Sequence, residues 1–333
     1  MDCSHGFRIA SVTLRYHVPL DLGKDKFAVA QKFHNLLETR QFTKGEAADD
    51  LASKIGNYTG YDYAIPFGQG THAIFILARW YHKLGYRRIR APAFTWPSTY
   101  LPFEWCGYGV RFVDINPETW LADFGDMKPD MDVLCIPVDT FGSSWVPTSE
   151  GWGIPFVDSA QSLGARWKDT TPNRIVSLSG SKIVTSGEGG MLLTQDKVLK
   201  DFAESHSWFS RMNEMEAILG LAYFDKLNEI LERKREIAET YRKVFPQVQW
   251  QAIPHDTNWY VVAGLIDAPM NVILQNSGVE FRRYFDTAIN ESNERTPMAD
   301  LDGLPNTKSV AQRILAFPSW PEMPLERIKD IRI

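Results

Sequence analysis

Ser177-Leu178-Ser179-Gly180-Ser181-Lys182-Ile183-Val184-Thr185-Ser186-Gly187-Glu188-Gly189-Gly190 sets a single lysine among small hydroxyl residues and glycines. An exposed, solvated face would surround Lys182 with other long charged side chains, and this run does not. A lysine in a confined site is a candidate nucleophile. Upstream, the apolar run Ile154-Pro155-Phe156-Val157 closes on Asp158, followed by Ser159-Ala160-Gln161. An aspartate in that position is either a helix N-cap or a ligand contact. If ionised and buried, it needs a cationic partner.

Working outward, Tyr63-Ala64-Ile65-Pro66-Phe67 reads as a short strand and runs into Gly68-Gln69-Gly70-Thr71. An apolar helix follows from about His72 to Leu84, stopped by Gly85. Glycines between a strand and a helix let backbone N–H groups approach an anion, reinforced by the helix N-terminus. The alternative is a plain strand-to-helix turn. The spacing is neither a Walker sequence nor the dinucleotide fingerprint, so ATP and NAD are disfavoured. Trp96, in Ala93-Phe94-Thr95-Trp96-Pro97, is either a core residue or a platform for a flat ring.

Further short strands are expected at Arg88–Ala91, Val110–Val113, Val133–Pro137, Pro155–Val157, Ile175–Ser177 and Met191–Thr194. Their alternation with helices or loops predicts an α/β fold, a mostly parallel sheet covered on both faces. Ligands of such sheets collect at the carboxyl ends of the strands, where Thr71, Asp158 and Ser177 fall. Helices are expected over about 26–42 and from Ala47 to Thr59, ending at Gly60. A long helical pattern runs from Glu214 to Phe245, with Glu229 and Arg233 spaced for an i,i+4 pair. The remainder mixes strands at Trp259–Leu265 and Ile314–Phe317 with polar helices and turns. Two domains are expected: 1–235, with an N-terminal arm over about 1–25, and a smaller α+β domain over 236–333.

Composition is ordinary: 44% hydrophobic and 23% charged residues, with a net charge of −5. The charge disfavours nucleic acid or an anionic membrane as a partner. No apolar stretch reaches membrane-span length, and Met1–Arg8 lacks a signal-peptide layout. Cys3, Cys106 and Cys135 are too scattered for a disulfide framework or a metal site, and suit free thiols in a reducing cytoplasm. The 11 tryptophans are expected mostly in the core.

A lysine and a carboxylate on neighbouring rigid elements, with a phosphate cradle beside them, meet the requirements of pyridoxal phosphate. The lysine carries that cofactor as a Schiff base, and the aspartate keeps its pyridine nitrogen protonated. Six stretches in order resemble the DegT/DnrJ/EryC1/StrS sugar aminotransferases, which are fold-type-I pyridoxal phosphate enzymes. They are Phe67–Thr71, Ala91–Trp96, Phe112–Ile115, Val157–Ala165, Lys182 with its Gly-Glu-Gly-Gly turn, and Arg211–Glu214.

The resemblance implies the aspartate aminotransferase-like fold and a role for each residue. Lys182 holds the cofactor and acts as general base. Asp158 meets the pyridine nitrogen, Gln161 the phenolic oxygen and Trp96 the ring face. Gly70, Thr71 and Ser177 grip the phosphate. It also implies a homodimer, with Arg211 and Asn213 reaching a neighbouring subunit's cofactor. The implied reaction moves an amino group from L-glutamate to a keto group of a nucleotide-linked deoxysugar. A pyridoxamine phosphate-dependent sugar dehydratase, or a non-catalytic protein on the same scaffold, are the alternatives; the dehydratases compared carry histidine in place of Lys182. Departures from the family pattern are His72 after the phosphate threonine, Asp139 where histidine is common, a short stretch after Gly142, and Ser207–Ser210 without the usual asparagine.

Overall fold

The computed structural model describes residues 16–125, 132–147, 153–167, 171–267, 279–289, 292, 294–331 and 333. The expectations for Met1–Arg8 and Cys3 lie outside them. Four strands, β1 (Tyr63–Phe67), β5 (Val157–Asp158), β6 (Asn173–Ser177) and β7 (Gly190–Thr194), pair in the order β1-β7-β6-β5. Three more, β2 (Arg88–Pro92), β3 (Gly109–Val113) and β4 (Val133–Cys135), pair in parallel as β3-β2-β4. A parallel bridge between Val138 and Asp158 joins the two groups, with Asp158 N–H donating to Pro137 O at 2.9 Å. The joined sheet is parallel except for β7, which runs antiparallel to both β1 and β6.

Strand alternation divides the core. Ile175 and Leu192 pack on one face with Ile74, Leu77 and Phe103, from helices α3 (Gly70–Lys83) and α4 (Leu101–Trp105). Their neighbours Val176, Met191 and Leu193 pack on the other, with Leu51 and Ile55 of α2 (Glu46–Thr59) and Ala217 and Leu221 of α6 (Glu214–Phe224). Helix α1 covers Asp25–Thr39, and α5 (Lys197–His206) adds Leu199 and Ala203 to the first face.

The Arg211–Glu214 stretch is a joint. Asn213 caps α6 through a reciprocal box with Glu216, while the buried Glu214 carboxylate accepts the N–H groups of Gly45 and Ala47 at the start of α2. Gly60 ends α2 in the left-handed conformation, φ +79°, its N–H donating to Gly56 O.

The Glu214–Phe245 pattern is two helices, α6 and α7 (Leu227–Val244), interrupted at Asp225-Lys226. The Glu229–Arg233 pair does not form. Arg233 instead meets Glu236 at 2.6 Å and donates to the carbonyls of Pro321 and Met323, while Glu229 lies 3.7 Å from Lys226. Beyond α7, β8 (Gln249–Trp250), β9 (Val262–Leu265) and β12 (Ile314–Phe317) form an antiparallel sheet in the order β12-β9-β8. A small hairpin pairs β10 (Thr287–Ile289) with β11 (Arg295–Pro297). Helix α8 (Pro305–Arg313) is capped by the Asp114 carboxylate, which accepts the N–H groups of Asn306 and Thr307.

Tryptophans do not concentrate in the core as expected. Trp120 and Trp145 are buried, whereas Trp96, Trp105 and Trp208 are exposed. Among the described residues, no helix is long and apolar enough to cross a membrane, and no cluster of His, Cys, Asp or Glu side chains is placed to hold a metal ion.

Candidate active site

Gly190 lies opposite Phe67 on one side and Ser177 on the other, so the ends of β1 and β6 meet at the start of β7. The backbone there is so close that a Cβ on Gly190 would overlap Cα and N of Gly70. Asp158 ends β5 along the same edge. These strand ends open into a cavity of about 510 Å³. Gly70, Thr71, Trp96, Asp158, Gln161, Ser177 and Lys182 all line it.

One end of the cavity is built for an anion. Helix α3 begins there without a side-chain cap, and Gln69, Gly70 and Thr71 face the space. The first N–H groups of an uncapped helix carry partial positive charge. The hydroxyls of Thr71 and Ser98, bonded to each other at 2.9 Å, and those of Ser177 and Ser179 complete the rim. His72 stays out of this corner: its Nδ1 bonds Ser210 Oγ and its ring meets Phe209 edge-on. Its bulk therefore fastens α3 to the 207–210 turn and leaves the cavity clear.

Asp158 occupies the deep end. Its Oδ2 accepts from Thr99 Oγ1 at 2.6 Å and its Oδ1 from the Ala160 N–H at 3.1 Å. Burial pushes the carboxyl above its ordinary range, opposed by these two donors and by the charge of Lys182. Asp158 is not a helix cap, because only turns follow it. Behind it, Asp139 and Arg174 form an ion pair at 3.0 Å with both side chains almost fully buried. Asp139 also accepts from Ser159 Oγ, Ser162 Oγ and the Trp145 N–H, and the Arg174 guanidinium lies 4.4 Å from the Trp167 ring centre. The carboxylate standing where histidine is common thus anchors the loop that carries Asp158 and Gln161.

Gln161 turns its carbonyl oxygen to the Phe141 N–H at 2.6 Å, leaving its amide N–H groups for a ligand. Lys182 is half-buried, with Nζ 4.7 Å from the centre of the Tyr260 ring. The Tyr260 hydroxyl lies 3.1 Å from Ser181 Oγ. Trp96, 63% exposed, stands at the mouth rather than in the core. Arg211 and Asn213 do not line this cavity, and the Asn213 carbonyl oxygen is committed to the α6 cap.

The sequence reading missed part of this wall. Thr99, two residues past the Ala93–Pro97 run, and Tyr260 carried no signal of their own. Arg282, Tyr284 and Phe285 belong to the stretch Glu280–Phe285, which resembles the family's substrate-facing segment only faintly, and they line the cavity. Nor was Lys234 foreseen: buried on α7, its Nζ donates to Tyr260 O at 3.0 Å and to Ser319 O at 2.5 Å, and burial lowers it to about 7. His17 lies nearby; burial first, then the charges of Lys234, Arg282 and Lys182, push its imidazole down to about 3.

A family model described as the DegT/DnrJ/EryC1/StrS aminotransferase family matches residues 24–332. The chain belongs to this family. Among curated relatives, GDP-perosamine synthase of Vibrio cholerae is 21% identical, over 87% of this chain and 90% of its own length. The UDP-4-amino-4-deoxy-L-arabinose–oxoglutarate aminotransferase of Shewanella sediminis is 22% identical, over 89% and 92%. A solved DegT/DnrJ/EryC1/StrS aminotransferase from Brucella abortus superposes with a TM-score of 0.81 at 20% identity, covering 94% of this chain and 97% of that one. The aminotransferase-like α/β fold expected from the sequence is the one observed.

Proposed function

We propose that this family member is a pyridoxal phosphate-dependent aminotransferase that moves an amino group from L-glutamate to a keto group of a nucleotide-linked deoxysugar. The observation that carries the reading is convergence on one cavity of a lysine amine, a buried carboxylate and an uncapped helix N-terminus ringed by hydroxyls. The residues fit the group at each end: the cradle at α3 suits a phosphate dianion, and Asp158, buried without a basic side chain on either oxygen among the described residues, suits a pyridinium N–H. The Vibrio cholerae and Shewanella sediminis relatives, named for amino-sugar synthesis, support the substrate class.

When bound, pyridoxal phosphate supplies a ring that stabilises negative charge on the carbon bearing the migrating nitrogen. Lys182 holds the group and moves a proton at Nζ. Asp158 keeps a proton on the ring nitrogen. Gln161 donates from its amide to the phenolic oxygen, and Trp96 covers one face. Gly70, Thr71 and Ser177 fix the phosphate. Tyr260 seats the Lys182 amine when it is free.

We infer two domains, 1–235 and 236–333. In support, the antiparallel sheet β12-β9-β8 lies wholly beyond residue 236, and Ile237, Ala238 and Tyr241 of α7 pack in one cluster with its Val262, Leu315 and Phe317. A homodimer fits the exposed Trp208, Phe209 and Met215 beside Arg211 and Asn213, which would then reach the partner's cofactor. Sedimentation at micromolar concentration tests it; a monomer would remove that role from both residues. A cytoplasmic location fits the free thiols of Cys106 and Cys135.

The test is a half-reaction. Protein reconstituted with pyridoxal phosphate should give a borohydride-fixed adduct on the Lys182 peptide. After loading with glutamate, keto-sugar nucleotides should restore the original absorbance and yield an amino sugar. A deoxygenated product, or no cofactor uptake, would overturn the reading.

A further inference from the structure

Thr95, Thr99 and Asp158 form a buried chain whose hydrogens can run only one way while Asp158 is ionised. Thr95 Oγ1 and Thr99 Oγ1 are 2.9 Å apart, and Thr99 Oγ1 lies 2.6 Å from Asp158 Oδ2. Exposure is 2% for Thr95, 1% for Thr99 and 4% for Asp158. A carboxylate only accepts, so Thr99 donates to Asp158, and its own oxygen then accepts from Thr95. A proton on Asp158 Oδ2 would reverse Thr99 and leave the Thr95 hydroxyl without an acceptor among the described residues. An unpaired buried hydroxyl is costly, so the chain disfavours a proton on Oδ2, while the Ala160 N–H donating to Oδ1 favours the ionised form on the other oxygen.

The other charges facing Asp158 are Lys182, which favours ionisation, and Asp139, which opposes it and is itself paired with Arg174. Thr99 also ends the short 3₁₀ turn Pro97–Thr99, its N–H donating to Trp96 O at 3.0 Å. The turn that aims a hydroxyl at Asp158 therefore begins beside the tryptophan at the cavity mouth.

We propose that Thr99, backed by Thr95, is a positioning residue that fixes the orientation and ionisation of Asp158, and through it the proton on the ring nitrogen of the bound cofactor. The proposal rests on the assignment of Asp158 to that nitrogen. Thr99→Val removes the donor at nearly constant volume, Thr99→Ser restores it, and Thr95→Val cuts only the outer link.

The readout is the ¹⁵N chemical shift of ring-labelled pyridoxal phosphate bound to each protein across pH, with cofactor affinity measured alongside. Wild type and Thr99→Ser should hold a protonated nitrogen over the same range. Thr99→Val should lose that proton at lower pH and bind cofactor about tenfold or more weakly, as expected for a lost hydrogen bond to a charged group. Thr95→Val should move the same way by less, and it supplies the measurement if Thr99→Val does not fold. A Thr99→Val protein with an unchanged ¹⁵N titration overturns the proposal alone. If Thr99→Val cannot be obtained, an unchanged titration in Thr95→Val overturns it. Wild-type protein that takes up no cofactor overturns the cofactor assignment and this proposal together.

Discussion

The amine of Lys182 rests 4.7 Å from the face of Tyr260, a residue whose backbone is held by another lysine, Lys234, from behind. Tyr260 thus meets one lysine with its ring and the other with its backbone carbonyl. A cation over a tyrosine face gains about 0.5–2 kcal/mol. Tyr260→Leu should therefore lower kcat up to roughly tenfold or somewhat more with little change in sugar KM. Tyr260→Phe, which keeps the ring and loses only the contact with Ser181, should stay close to wild type. Steady-state kinetics on both variants checks this, and equal losses would count against a role for the ring.

Removing Arg174 from its pair with Asp139 leaves a carboxylate buried with no cation on it among the described residues. Arg174→Met should cost about 3–5 kcal/mol of stability. An Asp139→Asn/Arg174→Met double variant should recover part of that loss, because the buried carboxylate is then gone. Urea denaturation of the single and double variants reads the difference.

Gly190 has no room for a side chain against Gly70. Gly190→Ala should cost about 1–3 kcal/mol through overpacking. It should also weaken pyridoxal phosphate binding, since relief of the clash displaces the first turn of α3. Gly187, left-handed at φ +84° and facing open space, should show the backbone penalty on substitution to alanine without the loss of cofactor. Equilibrium dialysis of the cofactor against both variants separates the two effects.

Lys234 makes stability depend on pH with a definite sign. In the fold its amine is neutral above about 7, whereas in the unfolded chain it stays protonated up to its ordinary 10.5. Between those values the unfolded chain binds more protons, so this contribution rises with pH, at up to about 1.4 kcal/mol per unit. Below about pH 7 both states are protonated and the contribution levels off at its least favourable value. The stability difference between wild type and Lys234→Met, measured from pH 6 to 10, should climb in favour of wild type above pH 7. A flat difference would show that the amine stays charged in the fold.

Most of the large sheet was legible because each strand is a short apolar run punctuated by Gly, Pro or a cap. Tyr63–Phe67 and Ile314–Phe317 have the bounds expected of them, and Gly60 ends its helix where the sequence placed the stop. The interruption at Asp225-Lys226 was hidden, since neither residue breaks a helix by propensity and the apolar face continues on both sides. That Lys182, Asp158 and Thr71 share one cavity was legible because each follows a short apolar strand within a few residues.

The far wall was not legible. Tyr260 reaches the cavity through the packing of the second sheet, and no spacing in the chain announces that, while Tyr284 was marked only by the faint family likeness of Glu280–Phe285. Trp96 was open to two readings from its local run, core or platform, and its exposure on the cavity removes the first. His72 and Asp139 read as departures, and both became supports because their partners, Ser210 and Arg174, lie far along the chain.

The cavity draws its lining from Gln69 to Phe285. During synthesis from the amino terminus, Lys182 and the start of α3 leave the ribosome well before the tyrosines that face them across the cavity. Until that last wall emerges and docks, the nascent chain carries an open half-site, so stable capture of the cofactor belongs to the completed polypeptide.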